Sequence, residues 1–298
     1  MSRRAALRPP EYFARPANAS RLTLTWNRHL VDITALSFLE KALRRNIEPQ
    51  NPFPREPRFA FAYEHMAPGD RVLDYGCHDG VFGHRVRKSK QVEYVGVDKN
   101  LDALARAPKD VHVEKLTLPL PFPDGHFDVV TILEVLEHIH DQDSVLRELN
   151  RVLKPGGTII VTTPRKHIFS FLDTANFKFM LPGVHRLYYR INHSKEEYRL
   201  RYMENPNNLV GDIETEKRWH QHFEDGEMRD IVERNGFSVQ ELDGIGLFNG
   251  LFTFINFILC LGFLFPRSRF RLIPDGAYQW DAWHFHSAFL ICSARKQA

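Results

Sequence analysis

Residues Arg71-Val72-Leu73-Asp74-Tyr75-Gly76-Cys77-His78-Asp79-Gly80-Val81-Phe82-Gly83 restrict what this chain can become more than any other stretch. Val72 and Leu73 predict a short buried strand. The glycines beyond predict a tight turn into a helix, with backbone close to a ligand that side chains would block. Asp74 ends the strand with a carboxylate facing that ligand. Twenty-two residues after Gly76, Glu93-Tyr94-Val95-Gly96-Val97-Asp98 predicts a second buried strand ending in an acid. At that spacing a carboxylate can take the two hydroxyls of a ribose. Two strand ends thus point at one nucleoside.

The loop also narrows the nucleoside. A pyrophosphate on bare backbone needs G-x-G-x-x-G, and counted from Gly76 the required glycines fall on His78 and Val81. No G-x-x-x-x-G-K-[ST] phosphate cradle occurs either. A nucleoside without phosphates is favoured, and S-adenosylmethionine fits that description.

Further along lie Leu120-Pro121-Phe122-Pro123-Asp124-Gly125-His126-Phe127-Asp128-Val129-Val130 and Glu148-Leu149-Asn150-Arg151-Val152-Leu153-Lys154-Pro155-Gly156-Gly157. With Asp74-x-Gly76 and Asp98, in this order and spacing, the chain resembles the class I S-adenosylmethionine-dependent methyltransferases over roughly residues 68–164, with two more strands near 237–245 and 286–296. The resemblance implies a Rossmann-like, doubly wound α/β fold: a mostly parallel seven-stranded sheet with helices on both faces and apolar cap insertions. It implies a cofactor site of Asp74, Gly76, Cys77, His78, Gly80, Asp98, Lys99 and Leu133. The family commonly has glycine where His78 stands, so His78 itself can approach the cofactor.

The rest of the chain agrees with that architecture. Apolar runs near 71, 93, 111, 127 and 157 alternate with helical stretches after Gly80, Asn100 and Asp141, which predicts a parallel sheet covered on both faces. Ligands bind such sheets outside the carboxyl ends of the strands, so Asp74, Asp98 and Glu134 line one rim. Residues 1–66 read as an N-terminal arm with covering helices, including one over 29–45, and residues 67–298 as the methyltransferase domain. The 298 residues, 43% hydrophobic, suffice for one sizeable core with added segments. Forty basic against 37 acidic residues give a net charge of only +3, which argues against a dominant nucleic-acid face. Cys77, Cys260 and Cys292 are far apart and form no C-x-x-C pair, so neither a disulfide framework nor a thiolate metal site is indicated. The N-terminus carries prolines instead of an apolar leader, and a reducing, cytoplasmic setting is expected.

Glu134-Val135-Leu136-Glu137-His138 follows the predicted fourth strand. If helical, it places Glu134, Glu137 and His138 on one face, a donor set suited to Mg²⁺, Mn²⁺ or Zn²⁺, with His220 and His222 as further ligands. This Glu-x-x-Glu-His pattern resembles two methyltransferase groups that bind a metal through it, ubiquinone-pathway catechol O-methyltransferases and small-RNA 2′-O-methyltransferases. The second group also has a His-x-His-x-Phe-Glu segment, here one residue shorter as His220-Gln221-His222-Phe223-Glu224. Without a metal, Glu134 meets the cofactor or a helix N-terminus, and His138 serves as general base toward a hydroxyl. Either way Glu134, Glu137 and His138 form the catalytic set.

Two insertions bear on the acceptor. Residues 165–201, within a cap over 165–219, mix Phe169, Phe171, Phe177, Phe179, Tyr188 and Tyr189 with eight Lys/Arg and three Asp/Glu. This suits an acceptor with apolar and anionic parts, or an anionic membrane surface. Residues 247–265, within a second insertion over 246–275, are nineteen residues without a charge. Since strands of one sheet flank them, a helical hairpin or in-plane helix fits better than a span, with Arg267, Arg269 and Arg271 at headgroup level. A buried helix or dimer face is the other reading. The leading expectation is O-methylation of an apolar or lipid-linked acceptor (isoprenoid, quinone precursor or glycolipid) by a protein peripheral to the membrane. A metal-dependent RNA 2′-O-methyltransferase, a soluble small-molecule methyltransferase and a non-catalytic cofactor-binding partner protein are the alternatives.

Overall fold

A computed structural model describes residues 51–53, 56–167, 170, 176, 180–192, 194–199, 203, 208–210, 213–215, 217, 220–246 and 288–297. The helix expected over 29–45, the aromatic residues Phe169, Phe171, Phe177 and Phe179, and the apolar run 247–265 lie outside the described residues.

Five parallel strands come first: β1 (Arg71–Tyr75), β2 (Glu93–Asp98), β3 (His112–Lys115), β4 (Phe127–Leu133) and β5 (Leu153–Pro164). A two-stranded ribbon, β6 (Asn208–Val210) and β7 (Ile213–Thr215), stands apart, and β8 (Phe237–Ile245) and β9 (Phe289–Lys296) return to the main sheet. Its order is β3-β2-β1-β4-β5-β9-β8. β9 runs antiparallel to both β5 and β8, so the other six strands share one direction. The seven-stranded, doubly wound sheet and its two late strands agree with the expectation. β1 lies between β2 and β4, where the winding reverses, and its carboxyl end opens the crevice in which such sheets bind ligands.

The helices are α1 (Pro57–Glu64), α2 (Val81–Ser89), α3 (Leu101–Leu104), α4 (Gln142–Val152), α5 (Pro182–Asn192), α6 (Lys195–Tyr198) and α7 (Asp225–Arg234). In α4, Val145, Leu146, Leu149 and Val152 recur at helical spacing and are all buried against the sheet, each worth roughly 1.5–3 kcal/mol of burial. Asp141 caps this helix by accepting from the Ser144 N–H. On the other face α1 and α2 pack Phe53, Phe61 and Phe82 over Val72, Val129 and Ile160.

The two later sequence motifs prove to be one unit. Arg151 donates to the carbonyls of Leu120 and Phe122 and pairs with Asp124, while Glu148 accepts from the Leu120 N–H. The segment entering β4 is thereby fastened to α4, which leads into β5. Both insertions also leave and rejoin the sheet at its carboxyl rim. Phe223 donates to the Pro164 carbonyl at the end of β5, and Ile245 pairs with Phe289 in the β8–β9 register.

Candidate active site

β1 delivers Asp74 to the rim, but the carboxylate is 3% exposed and engaged on both oxygens. The Tyr94 hydroxyl donates to Oδ2 at 2.6 Å and the Thr131 hydroxyl to Oδ1 at 2.7 Å. Burial raises the Asp74 pKa to about 6, against the pull of those two donors. Tyr94 is pushed up as well, by burial and then by Asp74. Neither hydroxyl was singled out in the sequence. Thr131 left a signal there, as the one polar residue inside Val129-Val130-Thr131-Ile132-Leu133, and it is the register partner of Asp74.

The turn after β1 is held by its main chain. The N–H groups of Gly76 and Cys77 both donate to the Val97 carbonyl, at 2.8 and 3.1 Å. Gly76 sits at φ +85°, and a Cβ there would come 2.3 Å from Cγ2 of Val135. Gly80 at φ +68° is the cap of α2. His78 takes φ +51°, a left-handed conformation that side chains disfavour, at the position where the resembled family has glycine. Its N–H donates to Asp98 Oδ2 at 2.7 Å, while Asn100 N–H donates to Oδ1 at 2.7 Å. Asp98 thus ties the glycine turn to the end of β2. The His78 imidazole is 47% exposed, and Lys99 is exposed as well. Cys77 is buried beside them, and burial raises its thiol pKa, which keeps the thiol protonated.

β4 ends at half-buried Leu133, and the chain then departs from the expected helix. Glu134 adopts φ +57°, and only Leu136–His138 turn, as a single 3₁₀ turn. With that backbone Glu134 stays close enough to feel the charge of Glu137 but is not among the ligand atoms that Glu137 and His138 bring within 4.8 Å of one another. Its N–H donates to the Thr162 carbonyl and its Oε1 accepts from the Thr162 hydroxyl at 2.8 Å. Arg58 of α1 approaches Oε2 at 3.8 Å. Burial and then the charge of Glu137 raise the Glu134 pKa to about 7, with Arg58 and Thr162 opposing. Arg58 had no local signal, because a lone arginine between Pro57 and Phe59 says nothing of a carboxylate 76 residues later.

Glu137 and His138 are buried, their side chains 0% and 8% exposed. Oε1 of Glu137 lies 3.7 Å from Nε2 of His138 and 3.6 Å from Nε2 of His220. The two rings stack with centroids 5.1 Å apart. Glu137, His138 and His220 offer ligand atoms all within 4.8 Å of one another. Glu134 and His222 stand outside that group. The ring of His222 instead lies edge-on to His220 at 5.7 Å. Neither oxygen of Glu137 has a hydrogen-bond donor among the described residues. A fully buried carboxylate in that state is suited to holding a cation.

The segment bearing His220 is fixed from three sides. Phe223 bridges to the end of β5 through the Pro164 carbonyl and the Lys166 N–H. Arg165 grips Asp225 with two hydrogen bonds, at 2.7 and 2.8 Å. Gln142 at the start of α4 donates both to the Leu136 carbonyl and to Gln221 Oε1, joining the Glu137 turn to the His220 segment.

Comparisons with known proteins agree with this fold. The family model described as "Methyltransferase domain" matches residues 36–242, more than half of the chain. A demethylmenaquinone methyltransferase of Staphylococcus saprophyticus is 35% identical over 44% of this chain and 60% of its own. A ubiquinone biosynthesis O-methyltransferase of Pseudomonas aeruginosa is 31% identical over 39% and 56%, and a ubiquinone/menaquinone biosynthesis C-methyltransferase of Shewanella is 33% identical over 35% and 46%. The chain thus covers less than two thirds of the length of these curated relatives. Two solved S-adenosylmethionine-dependent methyltransferases share the fold at 18% identity and a TM-score of 0.50. The one from Thermotoga maritima covers 83% of this chain and 91% of its own, and the one from Mesorhizobium loti 82% and 98%. The chain belongs to the methyltransferase-domain family and has the Rossmann-like fold of the class I S-adenosylmethionine-dependent methyltransferases.

Proposed function

We propose that the protein transfers the methyl group of S-adenosylmethionine to an oxygen of an apolar, lipid-linked acceptor (an isoprenoid, quinone precursor or glycolipid) presented at a membrane surface. One observation carries this reading. Both insertions depart from and return to the carboxyl rim near Glu137, His138 and His220, where an acceptor would meet the cofactor. The helix α5 favours the same class of acceptor. Met180 and Leu181 before it, and Val184 and Leu187 on it, are 40–57% exposed, with Arg186 and Arg190 exposed near them. Two of the curated relatives are named for ubiquinone or menaquinone synthesis and a third for demethylmenaquinone. Among the described residues no helix is long and apolar enough to cross a membrane. In this reading the contact is peripheral and is made chiefly by 247–265.

In this reading Asp98 takes the ribose hydroxyls, Gly76, Cys77, His78 and Gly80 pass the backbone along the cofactor, and Asp74, Lys99 and Leu133 complete the cradle. His138 accepts the proton of the acceptor hydroxyl as the oxygen attacks the sulfonium methyl. Glu137, buried at 3.7 Å, stabilises the imidazolium so formed. His220 closes the other side of the carboxylate. The buried carboxylate without a donor and its two imidazoles also fit a divalent cation, Mg²⁺, Mn²⁺ or Zn²⁺. Held by Glu137, His138 and His220, such a cation would lower the pKa of the acceptor hydroxyl.

A chelator should abolish methyl transfer to a prenylated catechol, and added Mn²⁺ or Zn²⁺ should restore it. Full activity in chelator would leave His138 as the base and remove the metal. The group Glu137, His138 and His220 also favours a second reading, an RNA 2′-O-methyltransferase. Salt-dependent binding of small RNA would support that reading, and its absence would remove it.

A further inference from the structure

The insertion after β5 meets the buried cluster at the side chain of Asn176. Asn176 is 4% exposed, and its amide meets the backbone of His220 at two points. Nδ2 donates to the His220 carbonyl at 3.0 Å, and Oδ1 accepts from the His220 N–H at 2.8 Å. The side chain takes the place of a neighbouring strand for a single residue. Since a carbonyl can only accept and an N–H only donate, the amide has one orientation, and His220 is fixed in both position and direction.

Three residues farther on, Phe223 is bound to β5 by main-chain hydrogen bonds, and Asp225 by Arg165. The return of the chain to the sheet therefore does not need Asn176. What Asn176 governs is the backbone of His220, whose Nε2 must stay 3.6 Å from Glu137 Oε1 and whose ring must stack on His138. A change of about 1 Å in an imidazole of a reactive cluster is enough to impair it.

We propose that Asn176 is a positioning residue, by which the insertion after β5 sets His220 against Glu137 and His138, so that the cap and the reactive cluster assemble as one unit. The proposal rests on the reading of these three residues as the reaction centre. It adds that the centre is incomplete until the segment that bears Asn176, 44 residues earlier in the chain, is docked.

The test needs neither an acceptor nor a metal. In chelator-treated full-length protein, histidine ring resonances are assigned by NMR with His138→Gln and His220→Gln as references. Glu137→Gln should shift the His220 ring resonances in the wild-type background, because carboxylate and ring adjoin. The same substitution in an Asn176→Ala background should shift them by less than a third as much, while S-adenosylmethionine affinity by calorimetry stays within about threefold of wild type. Asn176→Asp, which keeps the acceptor for the His220 N–H, should recover part of the coupling. It also serves as the readout if Asn176→Ala fails to fold. An undiminished shift in a folded Asn176 variant would overturn the positioning role. No shift on Glu137→Gln in wild type would overturn the reaction-centre reading and this proposal with it. A metal titration separates the two further. If wild type binds Mn²⁺, Asn176→Ala should bind it roughly 10–100-fold more weakly. Equal affinity would count against Asn176 alone.

Discussion

Glu134 combines a left-handed backbone with a carboxyl group whose pKa rises to about 7 through burial and the neighbouring charge of Glu137. A raised carboxyl pKa is a statement about folding. Between its ordinary value of 4.5 and about 7, the folded protein keeps a proton that the unfolded chain has released. Stability then falls as pH rises through that window. Asp74 acts with the same sign between 3.8 and about 6. The Glu134 part amounts to something on the order of 2–3 kcal/mol, tempered by its 16% exposure and by Arg58. Glutamine keeps the acceptor for the Thr162 hydroxyl but cannot ionise. Urea unfolding of chelator-treated protein at pH 5 and pH 7.5 should show wild type losing stability with pH, and Glu134→Gln losing markedly less. An equal loss in the variant would mean that Glu134 ionises freely in the folded state.

At the scale of elements, two turns face each other across the rim, and each limits the other. Gly76 in the β1–α2 turn leaves no room for a Cβ, because Val135 of the Glu134–His138 turn stands 2.3 Å from where it would lie. Gly76→Ala should therefore destabilise the fold by about 2–3 kcal/mol, from steric overlap and from the positive φ together. Adding Val135→Ala should recover the overlap and leave the backbone strain, a partial rescue measurable in thermal unfolding. No rescue would place the damage in the β1–α2 turn alone. How far this region was legible follows from the same residues. Apolar runs ending in Asp74, Asp98 and Leu133 marked the strands, since buried parallel strands read as uninterrupted hydrophobic stretches. Helical spacing predicted that Glu134, Glu137 and His138 would share a face. Glu134 takes a left-handed φ and is not among the clustered ligand atoms of the other two, and no residue type there signals it. Motif spacing found His220, while Arg58 and Asn176 reach the rim only through tertiary packing, to which sequence spacing is blind.

For the molecule as a whole, the hairpin formed by β8 and β9 decides what the apolar run can be. Ile245 and Phe289 are register partners, and β8 runs parallel to β5, so residues 246–288 begin and end at one point on the carboxyl rim. A segment with both ends at one point cannot carry the chain across a bilayer once without returning. It can, however, set an apolar surface beside the acceptor. The same geometry supplies a clean deletion. Joining Gly246 to Ala288 leaves Ile245-Gly246-Ala288-Phe289, a two-residue hairpin loop, and Gly246 already has φ +86°, the positive value that such loops need at their first position. The variant lacking 247–287 should therefore fold, keep the β8–β9 pairing and bind S-adenosylmethionine with affinity close to that of the full chain. Against vesicles containing phosphatidylglycerol it should sediment far less than the full chain, and turnover of a long-chain prenylated acceptor should fall more than that of a short soluble catechol. If the shortened protein binds vesicles as well as the full chain does, the membrane contact belongs to α5 and its neighbours, whose exposed Val184 and Leu187 would then be the residues to change.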